Sequence, residues 1–220
     1  GRLCNSESNR RAFDGRVMSK RASPDYDALI VGAGFSGIYL LHKLRNAGFN
    51  VLLVDAAAEP GGIWYWNCYP GARVDSQVPI YEYSIPEVWK SWTWSERFPE
   101  WKELRAYFHH VCNTLKLWPM MRMGSRVTGA NYEQAAQQWR LQLNGEETVT
   151  TRFLLPAIGF ASKPHIPDFP GIEDFEGEWF HTARWPQQGG DLSGRKIALI
   201  GTGASGVQVA QEAAKSASKL

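Results

Sequence analysis

Cysteine, long apolar runs and net charge are all scarce in this 220-residue sequence, and each scarcity excludes a class of protein. Three cysteines without a Cys-x-x-Cys spacing argue against a disulfide framework and against a zinc site. No apolar run reaches the roughly 18 residues of a membrane span, and no signal-peptide pattern opens the chain. A formal net charge of +2 creates no strong field toward nucleic acid or a membrane. We therefore predict a reducing compartment, the cytoplasm, as the location.

The small positive charge is concentrated at the N-terminal end. Residues 1–21 carry six basic side chains against two acidic ones and show no hydrophobic periodicity. We predict that residues 1–24 form a disordered leader. Two alternatives stay open: the basic, Ser-containing composition also fits an organelle transit peptide, and Met18 is a candidate for the true start of the protein.

The remaining sequence has an ordinary globular composition, 44% hydrophobic and 21% charged, arranged in alternating strands and helices. The apolar run Tyr26–Val31 predicts a buried strand of a parallel sheet. Residues 36–46 carry apolar side chains at helical spacing, and residues 50–55 form a second apolar run. This order predicts a βαβ unit and an α/β fold class.

Further elements are predicted downstream. Residues 59–79 are rich in Gly, Pro and aromatics, which indicates a loop, and residues 95–117 have one apolar face, which indicates a helix. An Asn-Gly pair at 144–145 between alternating runs predicts a β-hairpin. Residues 196–200 form another apolar run, predicted as a buried strand, and residues 205–217 are predicted as the following helix.

A glycine-rich motif follows the first predicted strand. The sequence G-A-G-F-S-G matches the dinucleotide fingerprint G-x-G-x-x-G, and an acidic residue ends the next strand 23 residues after the first glycine. The first glycine permits a tight turn, the second a close approach of the pyrophosphate, and the third close helix packing. The acid is placed to bind a ribose. The predicted cofactor-binding residues are Gly32, Gly34, Ser36, Gly37 and Asp55.

The same motif recurs 169 residues later as G-T-G-A-S-G, after the predicted strand 196–200. Only 14 residues follow its last glycine, so the residue that would distinguish NAD from NADP is not in this sequence. Two dinucleotide sites on one chain predict a flavin paired with a nicotinamide, since hydride passes between them. The predicted nicotinamide-binding residues are Gly201, Thr202, Gly203, Ser205 and Gly206.

Flavoproteins that carry such a pair include the disulfide reductases and the monooxygenases. A disulfide reductase of the common type has a redox cysteine pair after the first unit. Here Cys68 stands alone and Cys112 follows 44 residues later. The cysteine spacing therefore favours a monooxygenase.

Two spaced motifs and a Trp-rich run from Tyr81 to Trp94 refine this interpretation. The sequence G-G-I-W at 61–64, followed by Y-P-G at 69–71 and by Asp75, resembles the long motif of Baeyer–Villiger monooxygenases, G-G-x-W and then Y-P-G-x-x-x-D. The segment 175–186 resembles their fingerprint F-x-G-x-x-x-H-x-x-x-W-P. Related N-hydroxylating and flavin-containing monooxygenases usually place Tyr or Phe where this chain has Trp185.

The resemblance covers residues 24–220 and implies an FAD- and NADPH-dependent enzyme. Such an enzyme takes O₂ and a ketone and inserts one oxygen atom next to the carbonyl, giving an ester or lactone. One departure, Ala-Ile-Gly at 157–159 where many relatives have Ala-Thr-Gly, leaves the subgroup open. Two alternatives also stay open: a non-catalytic truncated FAD-binding fragment, and a related N-hydroxylating or flavin-containing monooxygenase. The ketone and the oligomeric state are open as well.

The resemblance also implies roles for individual residues. Gly62 and Trp64 would lie beside the flavin, and Asp75 would be a buried carboxylate at the isoalloxazine face that orients a cationic partner. His181 would have a positioning role between the two nucleotide units. The family's active-site Arg comes from beyond the second glycine motif and is absent from this chain, and no metal ligand is predicted.

The predicted organisation is an incomplete pair of domains. Residues 25–162 would be the N-terminal part of a Rossmann-like FAD-binding domain, a βαβ parallel sheet plus a β-meander. A connector at 163–193 would lead to the start of a second Rossmann-like NAD(P)-binding domain at 194–220. We expect the isolated chain to be poorly soluble and unable to oxidise NADPH with a ketone, because sheet edges would be uncovered.

Overall fold

The computed structural model describes residues 23–220, so nearly all of the predicted leader lies outside the described residues, Met18 included. Its centre is one mixed sheet of six strands in the order β3-β2-β1-β6-β5-β4. The first four in this order pair in parallel, whereas β6-β5 and β5-β4 are antiparallel. The strands are β1 (Tyr26–Val31), β2 (Val51–Val54), β3 (Met121–Arg122), β4 (Val127–Glu133), β5 (Gln138–Leu143) and β6 (Glu147–Pro156).

Five α-helices accompany the sheet in the described part of the chain. Helix α1 connects β1 to the parallel strand β2, which confirms the predicted βαβ unit. Helix α2 lies inside the predicted loop 59–79, and α4 is shorter than the predicted helix 95–117. Pro99 disfavours a helical backbone at Phe98, and Glu100 is an extended N-cap residue, so the helix begins only at Trp101. The helices are α1 (Phe35–Asn46), α2 (Ile63–Trp66), α3 (Pro86–Trp89), α4 (Trp101–Thr114) and α5 (Ala204–Ala213).

Successive residues of β1 belong to the cores on opposite faces of the sheet. Ile30 is fully buried in a cluster with Ile38 of α1 and Phe108 of α4. Leu29 is fully buried in a second cluster, which includes Leu141 of β5. Because both faces are covered, the strand is apolar at nearly every position rather than alternating, as in buried parallel sheets.

The predicted hairpin forms between β5 and β6. Asn144 and Gly145 both have positive φ, 53° and 80°, which is the backbone geometry that an Asn-Gly turn supplies. Strand β4 extends this hairpin to a three-stranded meander, as the predicted fold class requires.

The predicted strand 196–200 is wrong. Lys196 makes an isolated bridge to Lys219, and residues 197–200 form no strand. Ile200, predicted as buried, is 75% exposed. Within residues 23–220 no named strand lies beside this segment, so its backbone lacks the neighbour that an apolar run needs to become a sheet strand. Helix α5 follows as predicted but ends at Ala213.

None of the helices within residues 23–220 has both the length and the apolar character that crossing a lipid bilayer requires.

Candidate cofactor-binding cleft

A cleft of about 710 Å³ opens where three parallel strands end. The residues that follow β1, β2 and β6 lie along it, which is the edge where open α/β sheets bind ligands. The loop around α2 and the start of α5 complete its walls. The lining includes Gly32, Gly34, Ser36, Asp55, Gly62, Trp64, Asn67, Tyr69, Asp75, Tyr81, Ile158, Arg184, Ser205 and Gln208.

The first glycine motif has the geometry that its sequence predicts. Gly32 has φ +115°, and a Cβ there would lie 2.5 Å from the carbonyl oxygen of Ala157. A Cβ on Gly37 would lie 1.8 Å from the carbonyl oxygen of Gly32. Both positions therefore exclude a side chain, and α1 can start directly beneath the turn.

A second glycine pair packs against this turn. Gly61 donates its N–H to the carbonyl oxygen of Ala33 at 3.0 Å. A Cβ on Gly62 would lie 2.8 Å from the Cα of Gly34. Backbone contact thus holds the G-G-I-W segment against the G-x-G-x-x-G turn, and Trp64 of this segment lines the cleft.

Asp55 contacts the first turn directly. Its Oδ2 accepts the N–H of Ala33 at 2.6 Å and its Oδ1 accepts the N–H of Ala57 at 2.8 Å. The carboxylate, predicted to bind a ribose, therefore also fixes the glycine turn to the end of β2. Each oxygen retains capacity for a further hydrogen bond, and Asp55 lines the cleft.

Asp75 lines the cleft but is exposed, so the prediction of a buried carboxylate is wrong. The loop that carries it lies at the open rim of the cleft. Its Oδ1 accepts from the hydroxyl of Tyr81 at 3.4 Å. Burial and the nearby Asp75 charge raise the pKa of Tyr81, so this phenol stays protonated as a donor. The Tyr81 ring also meets Trp64 edge-on, with 5.9 Å between centroids.

The second glycine motif repeats the turn of the first one. Gly201 has φ +117°, and a Cβ on Gly206 would lie 2.4 Å from the carbonyl oxygen of Gly201. Ser205 lines the cleft, whereas Gly201, Thr202, Gly203 and Gly206 lie outside its lining. The structure therefore brings the start of α5 to the same cleft as the first motif.

His181 does not line the cleft. Its Nδ1 accepts the N–H of Ala183 at 3.0 Å and caps a short 3₁₀ helix, Thr182–Arg184. Trp185, four residues on, is buried against Cys68 and Tyr69. The F-x-G-x-x-x-H-x-x-x-W-P segment thus packs on the Y-P-G loop.

Sequence reasoning missed the polar contacts that hold this packing. Arg105 of α4 donates to Oε1 of Gln187 at 3.0 Å and to Oε2 of Glu59 at 2.8 Å. Gln187 in turn donates to the carbonyl oxygen of Tyr65 at 2.8 Å. The hydrogen bond from Arg105 lowers the pKa of Glu59. No local pattern marks these residues, because their partners lie far away in the sequence.

Both cysteines of the described chain are free and buried. Burial raises the pKa of the Cys68 thiol, and it raises that of Cys112 to about 12. Both therefore remain thiols at neutral pH, and the described residues contain no redox-active pair.

The sequence matches the family described as "Pyridine nucleotide-disulphide oxidoreductase" over residues 26–220. It is 46% identical over 203 residues to the cyclopentanone 1,2-monooxygenase of Comamonas sp. (strain NCIMB 9872). That match covers 92% of this chain and 37% of the relative. The chain thus spans little more than a third of the length of this relative.

Solved structures agree with the sequence match. A complex of OTEMO with FAD and NADP superimposes with a TM-score of 0.84 at 38% identity, covering 90% of this chain and 38% of the other. The cyclohexanone monooxygenase from Rhodococcus sp. Phi1 bound to NADP⁺ gives 0.83 at 37% identity, covering 89% and 37%. The predicted fold class, a Rossmann-like sheet with a meander, is confirmed.

Proposed function

Since the chain belongs to the pyridine nucleotide-disulphide oxidoreductase family, we propose that it is the cofactor-binding part of a Baeyer–Villiger monooxygenase. The proposed reaction uses FAD, NADPH, O₂ and a ketone and yields an ester or lactone. The observation that carries this proposal is that one cleft receives both glycine-rich segments, at Gly32 and at Ser205. A flavin and a nicotinamide must meet for hydride to pass between them.

Disulphide chemistry, which the family's description includes, has no support in the described residues. Cys68 accepts a hydrogen bond from the amide of Gln187 and lies among apolar side chains. Cys112 lies in a different core cluster, next to α1 and β2. The two thiols therefore belong to separate clusters, with their pKa values raised by burial.

The first turn fits the pyrophosphate of FAD. Gly34 precedes α1 without a side-chain cap, and no acidic residue stands in the first helical turn. The first N–H groups of α1 thus face the cleft as donors for phosphate oxygens. We propose that Gly32, Gly34, Ser36 and Gly37 hold this pyrophosphate, with Asp55 on the ribose.

The second turn fits the nicotinamide cofactor by the same physical argument. Gly203 precedes α5, again without a side-chain cap and without an acid in the first turn. A pyrophosphate there would accept hydrogen bonds from the first N–H groups of α5 and would be stabilised by the positive end of the helix dipole. The proposed ligands are Gly201, Thr202, Gly203, Ser205 and Gly206.

When bound, FAD would supply the redox chemistry, taking hydride from NADPH and activating O₂. The chain's own residues would position the reactants. Gly62 and Trp64 would border the flavin, and the aromatic pair of Trp64 and Tyr81 would limit water at this side. Asp75, accepting from Tyr81, would orient a cationic group at the cleft rim. His181 would position the connector through its cap on Ala183.

The domain division follows the same proposal. Residues 25–162 would belong to the FAD-binding domain, 163–193 to the connector and 194–220 to the beginning of the NAD(P)-binding domain. The cytoplasm remains the predicted compartment.

The decisive test uses the protein with its complete natural sequence. We expect the purified protein to carry FAD and to oxidise NADPH faster when a cyclic ketone such as cyclopentanone is added. With ¹⁸O₂, mass spectrometry should find one labelled oxygen atom in the lactone. As a control, the ketone is omitted, and NADPH consumption should fall.

Two other outcomes would contradict the proposal. Hydroxylated amines as the only oxygenated products would favour the N-hydroxylating alternative. A folded protein that binds FAD but never oxidises NADPH would favour the non-catalytic alternative.

A further inference from the structure

Tyr69 of the Y-P-G loop makes a polar contact that the proposed function does not use. Its hydroxyl donates to Oε1 of Gln208 at 2.8 Å and lies 3.1 Å from Oγ of Ser205, both in α5. Gln208 makes a second hydrogen bond to the same loop, in which its Nε2 donates to the carbonyl oxygen of Arg73 at 3.1 Å. One amide group of α5 therefore connects to the loop at both of its ends, which also fixes the orientation of that amide.

The Tyr69 side chain is suited to this contact. The residue is 4% exposed, and its ring packs with Ala72, Trp185 and Val209. Burial raises the pKa of Tyr69, so the phenol keeps its proton and stays a donor. The ring anchors the residue by apolar packing, and the hydroxyl is left to define the position of α5.

The loop backbone also closes directly on α5. Gly71 lies between Tyr69 and Arg73, and a Cβ there would lie 2.8 Å from the backbone oxygen of Gln208 and 2.8 Å from Cγ of Glu212. Only a residue without a side chain allows this approach. The contact between the loop and α5 is therefore built from a buried ring, three hydrogen bonds and one backbone position without a side chain.

The two elements so joined carry different halves of the proposed cofactor site. The loop continues to Asp75, on the proposed flavin side, and α5 begins at the second glycine turn, on the proposed nicotinamide side. Ser205 of α5 links the cofactor cleft to the loop, because it lines the cleft and also contacts the Tyr69 hydroxyl. A change in the Tyr69–Gln208 contact would shift one half relative to the other.

We propose that Tyr69 and Gln208 are positioning residues that set the nicotinamide cofactor against the flavin for hydride transfer. This inference rests on the proposed function. In the step, a hydride with its two electrons leaves the dihydronicotinamide ring of NADPH and passes to FAD; NADPH becomes NADP⁺ and FAD is reduced. Hydride transfer depends steeply on the placement of the two rings, whereas FAD binding itself depends on the first glycine turn.

The test compares variants of the complete, FAD-loaded protein. Tyr69→Phe keeps the buried ring and removes the hydroxyl, and Gln208→Met keeps the length of the side chain and removes the amide. The double variant shows whether the two act through one contact. Tyr132→Phe is the matched control, because Tyr132 is an exposed tyrosine of β4 packed on Trp139.

Four quantities are measured: the FAD dissociation constant, flavin reduction by dithionite, flavin reduction by NADPH, and the change in flavin absorbance when NADP⁺ is added. We expect the first two to stay within about twofold of the unmodified protein. Reduction by NADPH should slow roughly three- to tenfold in each single variant, and no further in the double variant. The absorbance change with NADP⁺, which requires no turnover, should shrink in parallel.

The inference is overturned if both single variants match Tyr132→Phe in NADPH reduction and in the NADP⁺ absorbance change. It is also overturned if FAD affinity and dithionite reduction fall as much as NADPH reduction, since that is a general structural effect. Fully additive effects in the double variant would overturn the shared contact. Failure of the proposed function has a different signature, because the unmodified protein itself would then not be reduced by NADPH.

Discussion

The two glycine-rich turns have the same local backbone and different surroundings. The φ values of their first glycines are +115° at Gly32 and +117° at Gly201. In each turn the third glycine lies too close to the carbonyl oxygen of the first for a Cβ to fit. Around Gly32, however, a Cβ would strike Ala157, whereas no atom of residues 23–220 lies within 4 Å of a Cβ on Gly201.

The difference separates what a motif encodes from what its neighbours add. Turn geometry and the start of the following helix arise within six residues, so both copies form them. The close packing of the first turn requires β6 and the Gly61-Gly62 segment, which lie on either side of it. The second turn has no such neighbours in the described chain, and the apolar run before it does not become a strand.

Alanine substitution of the third glycine should give the largest difference in unfolding free energy between the two turns. We expect Gly37→Ala to lower the free energy of unfolding by at least about 3 kcal/mol, because its Cβ would lie 1.8 Å from a carbonyl oxygen inside a packed core. Gly206→Ala, at 2.4 Å, should cost about 1–2 kcal/mol, since the exposed turn can shift. Urea unfolding of the 220-residue chain measures both. Equal losses of unfolding free energy would mean that the packing around each turn does not affect its tolerance of a side chain.

The first glycines isolate packing from backbone strain. Gly32→Ala and Gly201→Ala share the strain of a positive φ, roughly 1–3 kcal/mol. Gly32→Ala adds the clash with Ala157, 2.5 Å from the new Cβ, so its loss should be larger by roughly 1–3 kcal/mol. The same unfolding measurement gives the difference. A larger loss for Gly201→Ala would contradict the comparison.

The second glycines separate stability from binding. A Cβ on Gly34 would lie 3.4 Å from the Cα and 4.0 Å from the N of Gly62, and no atom of the described residues lies within 4 Å of a Cβ on Gly203. We therefore expect both alanine variants to lose less than about 1 kcal/mol of unfolding free energy. Gly34→Ala should nevertheless weaken FAD binding, and Gly203→Ala should weaken NADP⁺ binding, each roughly tenfold, because a methyl group would occupy the proposed pyrophosphate path. Titration with each cofactor measures both affinities. Weaker NADP⁺ binding by Gly34→Ala, or weaker FAD binding by Gly203→Ala, would contradict the assignment of the two turns.

Thiol labelling should show the smallest difference. Cys68 lies at the contact between the Y-P-G loop and α5, and Cys112 lies in the core next to α1. With a pKa of about 12, Cys112 has roughly one part in ten thousand as thiolate at pH 8. Labelling by iodoacetamide, located by peptide mass spectrometry, should modify Cys68 first, and both rates should rise about tenfold per pH unit. Faster labelling of Cys112 would mean that the core next to α1 opens more easily than the contact between the Y-P-G loop and α5.

Much of the fold was predictable because its signals are local. The run Tyr26–Val31, the glycine turn at 32–37 and the Asn-Gly pair at 144–145 each define a structure within a few residues, and all three formed as predicted. The run 196–200 was equally apolar, but a strand also needs a partner, which local sequence does not show.

The candidate site divides in the same way. Gly32, Asp55 and Ser205 were found because their motif predicts their place in the cleft. The exposure of Asp75 and the contact of Tyr69 with Gln208 depend on how distant segments pack. In the second case 139 residues separate the partners. No spacing rule connects them.

The approach of Gly62 to Gly34 has a consequence for how this sequence can change. With 2.8 Å between the Cα of Gly34 and a Cβ built on Gly62, position 62 cannot gain a side chain while the glycine turn at Gly34 stays in place. A mutational library that randomises position 62 alone should therefore return glycine almost exclusively among variants that bind the flavin. New residues at position 62 should be tolerated only together with a shift of the loop that carries it, so the backbone at Gly34 limits how position 62 can evolve.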